Sequence, residues 1–207
     1  KIDDGKTFVV TWTTFNETET KVDFGQTLDS LNRHIVGKQE LFQDGGELKR
    51  KEYIHRAIFP SGLPSDQDFV SNKSNHILVD FILKIFPILD YRTGSDCGWS
   101  DIFWFKTFPS GTWSPRLAVY GDMGNINAVS LPRLQRETQS GMYDMILHIG
   151  DFAYDMNNVS QHEHAEQCFV IYFILANGTR GDEFMRQIEP IAAYVPYMTC
   201  PGNHEEA

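Results

Sequence analysis

Three times in the second half of the chain, a short apolar run ends at a glycine-containing turn that presents one oxygen-bearing side chain. The blocks are LAVYGDMG at Leu117 to Gly124, MILHIGDFAY at Met145 to Tyr154, and VPYMTCPGNHE at Val195 to Glu205. A brief apolar run bounded by turn residues reads as a buried strand. Between the first two blocks, NAVSLPRLQRETQSG carries Val129, Leu131, Leu134 and Thr138 at helical spacing, with Gly141 as the expected stop. Strand, helix and strand within about 30 residues make a βαβ unit, whose parallel strands are expected to be covered on both faces. GDEFMRQIEPIAAYVPYM continues the pattern, with Phe184, Ile188, Ile191 and Ala192 on one helical stripe and a third strand after it. Pro190 is expected to kink or interrupt that helix.

In a parallel sheet, the strand ends that feed the helices share one edge, and ligands collect there. Asp122 and Asp151 are therefore expected side by side, each after a glycine that lets the backbone turn sharply. Two neighbouring carboxylates repel unless something neutralises them. Hard cations do so, and carboxylate, phenolate and amide oxygens are their natural ligands. Tyr154 and Asn203 supply the latter two. Taken singly, GDMG is a turn, Tyr154 a buried aromatic and Asn203 in PGNH a turn residue. Their joint occurrence, in order and each after a strand, points to one shared site.

The first half reads differently. In TFVVTWTTF, Phe8, Val10 and Trp12 fall on one face and Thr11 and Thr13 on the other, the period of a half-buried strand. KVDFG, EYIHRAIF and SDIFWFKTF repeat the style between polar turns, which suggests a small β-sandwich over residues 1–112. The boundary is expected near Thr112 to Arg116, with an α/β part over residues 116–207.

A chain of 207 residues with 41% hydrophobic content suits one large or two small domains. A formal charge of −10 and a pI near 5.1 argue against a nucleic-acid partner. Cys97, Cys168 and Cys200 form neither a disulfide framework nor a zinc ribbon, leaving one bridge at most. Sequons at Asn16, Asn72, Asn158 and Asn177 make these asparagines glycosylation candidates and point to a secreted or lysosomal protein. No signal peptide precedes the polar start at Lys1, so a mature chain and a fragment both fit. Ile77 to Tyr91 carries Asp80, Lys84 and Pro87, and Cys168 to Ala176 falls short of the roughly 20 residues a spanning helix needs. Neither is expected to cross a membrane.

The blocks GDMG, GDFAY and GNHE resemble the first three motif blocks of the purple acid phosphatases, in the calcineurin-like metallophosphoesterase superfamily: GDxG, GDxxY and GNHE. The tyrosine is the discriminating letter. TFVVTWTTF, YIHRAIF and GSDCGWSDIFWFKTFPSG resemble the fibronectin III-like domain that precedes the catalytic domain in larger members. The resemblance implies an N-terminal all-β fibronectin III-like sandwich followed by an incomplete α/β metallophosphoesterase domain. It also implies a two-metal acid phosphatase acting on small phosphate monoesters. Asp122 and Tyr154 would bind a ferric ion, Asp151 would bridge, and Asn203 would bind a divalent iron, zinc or manganese. His204 would be a catalytic residue rather than a ligand, facing the substrate phosphate and helping with charge or proton transfer, while the role of Glu205 stays open. The ligands suit this chemistry, because ferric iron favours anionic oxygen and acidifies bound water.

The family pattern continues with VxxH and GHxH blocks that supply histidine ligands, whereas the sequence stops at Ala207. This chain alone is therefore expected to be truncated, to bind metal poorly and to be weakly active or inactive. Residues 64–91 and 159–176 look foreign to the pattern. VSQHEHAEQCFVIYFILA and FVSNKSNHILVDFILKIFPIL both resemble translated introns, and His162 and His164 are expected to be solvated. Two other readings stay open: a phosphoesterase acting on diesters or nucleotides, and a secreted, non-catalytic binding module. Oligomeric state is open too.

Overall fold

The computed structural model describes residues 7–43, 49–63, 88–109, 111–154 and 179–205. The chain divides into two compact units: Lys1–Phe42 with Lys51–Ser114, and Gln43–Arg50 with Pro115–Ala207.

Among the described residues of the first unit, every regular element is a strand. β1 (Val9–Thr14) pairs antiparallel with β5 (Lys51–Ile58), whose other neighbour is β4 (Lys38–Gln43). A second sheet runs β3 (Arg33–Val36), β2 (Lys21–Gly25), β6 (Ile88–Ser95) and β7 (Gly98–Trp99), and β8 (Phe103–Lys106) also pairs with β6. Alternation along the strands builds one core from both sheets. Val22 and Phe24 on β2, Leu89 and Tyr91 on β6, Phe105 on β8, and Ala57 and Phe59 at the end of β5 are buried together. Phe8, Val10 and Trp12 pack against them, while Thr11 and Thr13 are exposed. His55 is fully buried, stacks on Trp12 and bonds Thr14 Oγ1 through Nε2 and Thr20 Oγ1 through Nδ1, each at 2.8 Å.

The stretch 64–91, expected to be foreign, ends inside β6, where Leu89 is 1% and Tyr91 4% exposed and Leu89 lies opposite Phe105. The period-2 signal of ILDY was hidden by the apolar run before it. Residues 64–87 and 159–176, with Asn72, Asn158, His162, His164 and Cys168, lie outside the described residues, as does Asn177.

The second unit holds β9 (Leu117–Tyr120), β10 (Met145–Ile149) and β11 (Tyr197–Cys200) in the order β11-β10-β9, all parallel. α1 (Leu131–Gln139) starts with Pro132 in its first turn, where the missing N–H costs nothing. It ends at Gly141, whose φ of 75° lets its N–H reach Thr138 O and the Met142 N–H reach Glu137 O, closing the last carbonyls. Val129, expected on the apolar stripe, precedes the Ser130 cap and is 91% exposed. α2 (Thr179–Ala192) buries Phe184, Ile188 and Ile191, whereas Ala192 is exposed. Pro190 does not interrupt α2, which closes two residues later at Ala192, so the one bond its missing N–H forfeits, to the carbonyl four residues before it, falls in the last turn.

Both helices lie on one face of the sheet, over Ala118 and Ile146. On the other face Leu117, Val119, Ile149 and Met198 are each 44–58% exposed, so the described residues cover one face rather than two.

Candidate metal centre

The turns that leave β9 and β10 adopt an unusual backbone. Asp122, Asp151 and Tyr154 have φ of 57°, 53° and 48°, and Lys49 is the one other non-glycine residue in that region among those described. Left-handed φ at a side-chain-bearing residue costs about 1–2 kcal/mol and collects at functional sites. The turns are joined by Asp122 N–H donating to Gly150 O at 3.2 Å.

The side chains meet as the strand ends do. Tyr154 donates its hydroxyl to Asp122 Oδ1 at 2.7 Å, so the two oxygens expected to share one ion are neighbours. This bond to Asp122, with smaller contributions from burial and from the Asp122, Asp151 and Glu205 charges, pushes the Tyr154 phenol up to about 12. The His204 backbone N–H donates to Asp151 Oδ1 at 3.0 Å, and the His204 ring stands edge-on to Tyr154, with centroids 4.8 Å apart. Asn203 and His204 are exposed in the turn after β11. Thus Asp122, Tyr154, His204 and Asp151 form one chain of contacts, and Asn203 immediately precedes His204.

Packing around these turns is close. An added Cβ on Gly202 would stand 2.2 Å from Asp151 Oδ1 and 2.6 Å from Asp151 N, so no side chain fits there. The Glu205 carboxylate accepts three backbone N–H groups: Asp151 and Gly202 on Oε2, both at 2.8 Å, and Phe152 on Oε1 at 2.9 Å. Burial acts to raise the Glu205 carboxyl, but the bonds from Gly202, Phe152 and Asp151 outweigh it and hold the group below the usual carboxylate range. From α2, Gln187 Nε2 donates to Gly124 O at 2.7 Å and Arg180 to Tyr154 O at 3.0 Å, tying both turns to one helix.

Beneath the turns, His148 is fully buried against the rings of Tyr120, Phe152, Phe184 and Tyr197. Its Nδ1 bonds Tyr197 Oη at 2.8 Å, which in turn bonds Tyr120 Oη at 2.9 Å, while Nε2 has no partner. Burial holds the His148 pKa below its ordinary value.

Among the described residues, no group of three or more His, Cys, Asp or Glu side chains is placed to hold a metal. The expected set leans instead on a phenol and an amide, and its hard oxygen donors fit hard cations. A cleft of about 520 Å³ along β9 and α1 includes Asp122 in its wall but none of Asp151, Tyr154 or Asn203. Cleft and ligand turns therefore do not coincide. Asn16 is exposed just after β1, and Cys97 and Cys200 are free and exposed. Sequence reasoning left Glu205, Gly202, Gln187 and Arg180 without roles. Of these, only Glu205 carried a signal, as the last letter of GNHE.

Residues 115–207 match the family model described as calcineurin-like phosphoesterase. Over 202 residues the chain is 43% identical to acid phosphatase type 7 of Mus musculus, covering 97% of this chain and 37% of that protein. The Homo sapiens acid phosphatase type 7 is likewise 43% identical, over 199 residues, with 95% of this chain and 37% of that protein covered. An Arabidopsis thaliana protein named probable inactive purple acid phosphatase 27 is 29% identical over 125 residues, covering 52% of this chain and 17% of its own length. The similarity is thus to purple-acid-type phosphatases, and this chain spans 37% of the length of the type 7 relatives. No helix among the described residues is long and apolar enough to cross a membrane.

Proposed function

We propose that this chain carries part of the active site of a secreted or lysosomal acid phosphatase that hydrolyses phosphate monoesters. In this reading Asp122 and Tyr154 hold a ferric ion, Asp151 bridges, and Asn203 holds a divalent iron, zinc or manganese. The observation that carries it is the 2.7 Å contact between Tyr154 Oη and Asp122 Oδ1, with both residues in left-handed backbone. Bound, the metals supply Lewis acidity toward the phosphoryl oxygens and lower the pKa of water.

The chain's own groups do the rest. Asp151 and Asp122 place negative charge where cations are wanted, and the left-handed turns aim both carboxylates off the strand ends. His204, exposed and with its backbone fixed on Asp151, donates a proton from an imidazole nitrogen to the departing alkoxide oxygen. The first unit is read as a fibronectin III-like module, supported by two sheets around one core. Asn16, exposed in its sequon, is the described glycosylation candidate.

Hydrolysis of p-nitrophenyl phosphate in acid, with visible absorption recorded on the same sample, tests the reading. The expected result is monoesterase activity with a phenolate-to-iron band, both lost in Tyr154→Phe. Preferential cleavage of bis(p-nitrophenyl) phosphate without that band would contradict it in favour of a diesterase. A folded protein that takes up no metal would favour the non-catalytic reading, with which the similarity to a probable inactive relative is compatible.

A further inference from the structure

We propose that Glu205 is a positioning residue: its carboxylate locks the turn after β10 in the left-handed form that presents Asp151 to a metal. The inference rests on the reading of Asp151 as a metal ligand and goes beyond it, because Glu205 is itself directed away from that role. Its two oxygens accept the N–H groups of Asp151 and Phe152 from the turn after β10 and of Gly202 from the turn after β11, at 2.8, 2.9 and 2.8 Å. One side chain thus staples the ends of two neighbouring strands.

The geometry needs such a staple. Asp151 has φ of 53° and follows Gly150 at 91°, so two successive residues lie in the left-handed region. A turn of this kind points consecutive N–H groups into one concavity, which favours an anion. In many sites the anion is a ligand, whereas here it is an internal carboxylate. Bonds to an ionised acceptor are about twice as strong as neutral ones. Glu205 is half-buried, which reduces competition from water, and three such bonds offset the strain at Asp151.

The orientation of Asp151 follows from the same staple. With its N–H held by Glu205, its Oδ1 accepts from the His204 N–H at 3.0 Å. One carboxylate therefore sets both Asp151 and the residue next to Asn203. Glutamine at position 205 has nearly the same shape but carries an NH2 group that cannot accept a hydrogen bond, so at least one backbone N–H loses its partner.

The test is Glu205→Gln in the full chain, with two readouts. Amide hydrogen exchange of the metal-free protein is expected to show faster exchange at Asp151, Phe152 and Gly202, with the β2 and β6 amides unchanged. Zn2+ titration calorimetry is expected to show the weak affinity of an incomplete ligand set in the wild-type chain, reduced about 10- to 100-fold further in the variant, the range for groups that orient ligands. Unchanged exchange at all three amides would overturn the staple. Faster exchange with unchanged Zn2+ affinity would overturn the positioning role and leave the metal site standing. A wild-type chain that shows the protection yet binds no Zn2+ even at the highest Zn2+ concentration at which it stays soluble would sink the metal reading, and the positioning role with it. Should the variant not fold, the wild-type amides still decide the staple, since all three must exchange at least tenfold below their free rates.

Discussion

The two units treat backbone strain and buried polar atoms in opposite ways. Among the described residues, all four non-glycine residues with left-handed φ, Lys49, Asp122, Asp151 and Tyr154, group with the second unit. Among the described residues, the three buried side-chain atoms without a hydrogen-bond partner, Asn125 Oδ1, Thr138 Oγ1 and His148 Nε2, also lie there. The buried histidines repeat the contrast. His55 of the first unit is bonded at both nitrogens, whereas His148 of the second is bonded at one. A unit with only a fold to maintain can satisfy its groups locally, while one that presents ligands at its strand ends carries unfavourable geometry held in place by its surroundings.

The largest expected effect separates two glycines. Gly202→Ala drives a Cβ into Asp151, while a Cβ on Gly98 in the first unit meets nothing within 4 Å. Gly202→Ala should lose about 1–3 kcal/mol of unfolding free energy, as overpacking does. Gly98→Ala should stay within about 0.5 kcal/mol. Urea denaturation of both variants measures the difference, and equal losses would erase the contrast.

Next come the histidines. His55→Phe leaves the Thr14 and Thr20 hydroxyls without their ring partner and should cost about 1–3 kcal/mol. His148→Phe removes an unpartnered atom, and Tyr197 keeps its bond to Tyr120, so the loss should be smaller, under about 1 kcal/mol. A larger loss at His148 would show that its ring does more than pack.

Both histidines also predict a pH trend. Burial lowers each folded pKa below the ordinary 6.5, so the stability each contributes is present above pH 6.5 and lost as pH falls through the folded value. Thermal melts should drop on acidification below that point, and less steeply in His55→Phe. An identical slope in that variant would count against a neutral, buried His55.

The smallest effect concerns Asp122→Asn. Asparagine tolerates left-handed backbone and keeps an acceptor for the Tyr154 hydroxyl, so metal-free stability should change by no more than about 0.5 kcal/mol. The neutral amide is a weaker acceptor than the carboxylate and the neighbouring charge is lost, so the Tyr154 phenol should fall from about 12 part of the way toward the ordinary 10, followed by ultraviolet absorption during alkaline titration. A midpoint that stays put would show that Asp122 is not what holds the proton.

Much of this arrangement is legible in the residues. The three apolar runs declare the parallel strands, and the glycines after two of them place Asp122 and Asp151 on one edge. Other features have no local signature. β6 begins within an apolar run, so its period-2 start at Ile88 cannot be separated from what precedes it. Val129 matches a helical stripe, yet Pro132 sets the helix start and leaves it outside. Which N–H groups Glu205 would capture depends on how two strand ends meet, and residue order does not express that.

The central claim is that Asp151 carries its charge for a ligand rather than for the fold, and Asp151→Asn tests it most directly. Unfolding of the metal-free protein and Zn2+ titration should be measured on the same preparation. The account predicts stability within about 0.5 kcal/mol of wild type, since asparagine adopts the same backbone and can still accept the His204 N–H, together with Zn2+ affinity reduced at least tenfold. Stability lowered by more than about 2 kcal/mol with Zn2+ binding intact would contradict it, and would make the carboxylate part of the scaffold.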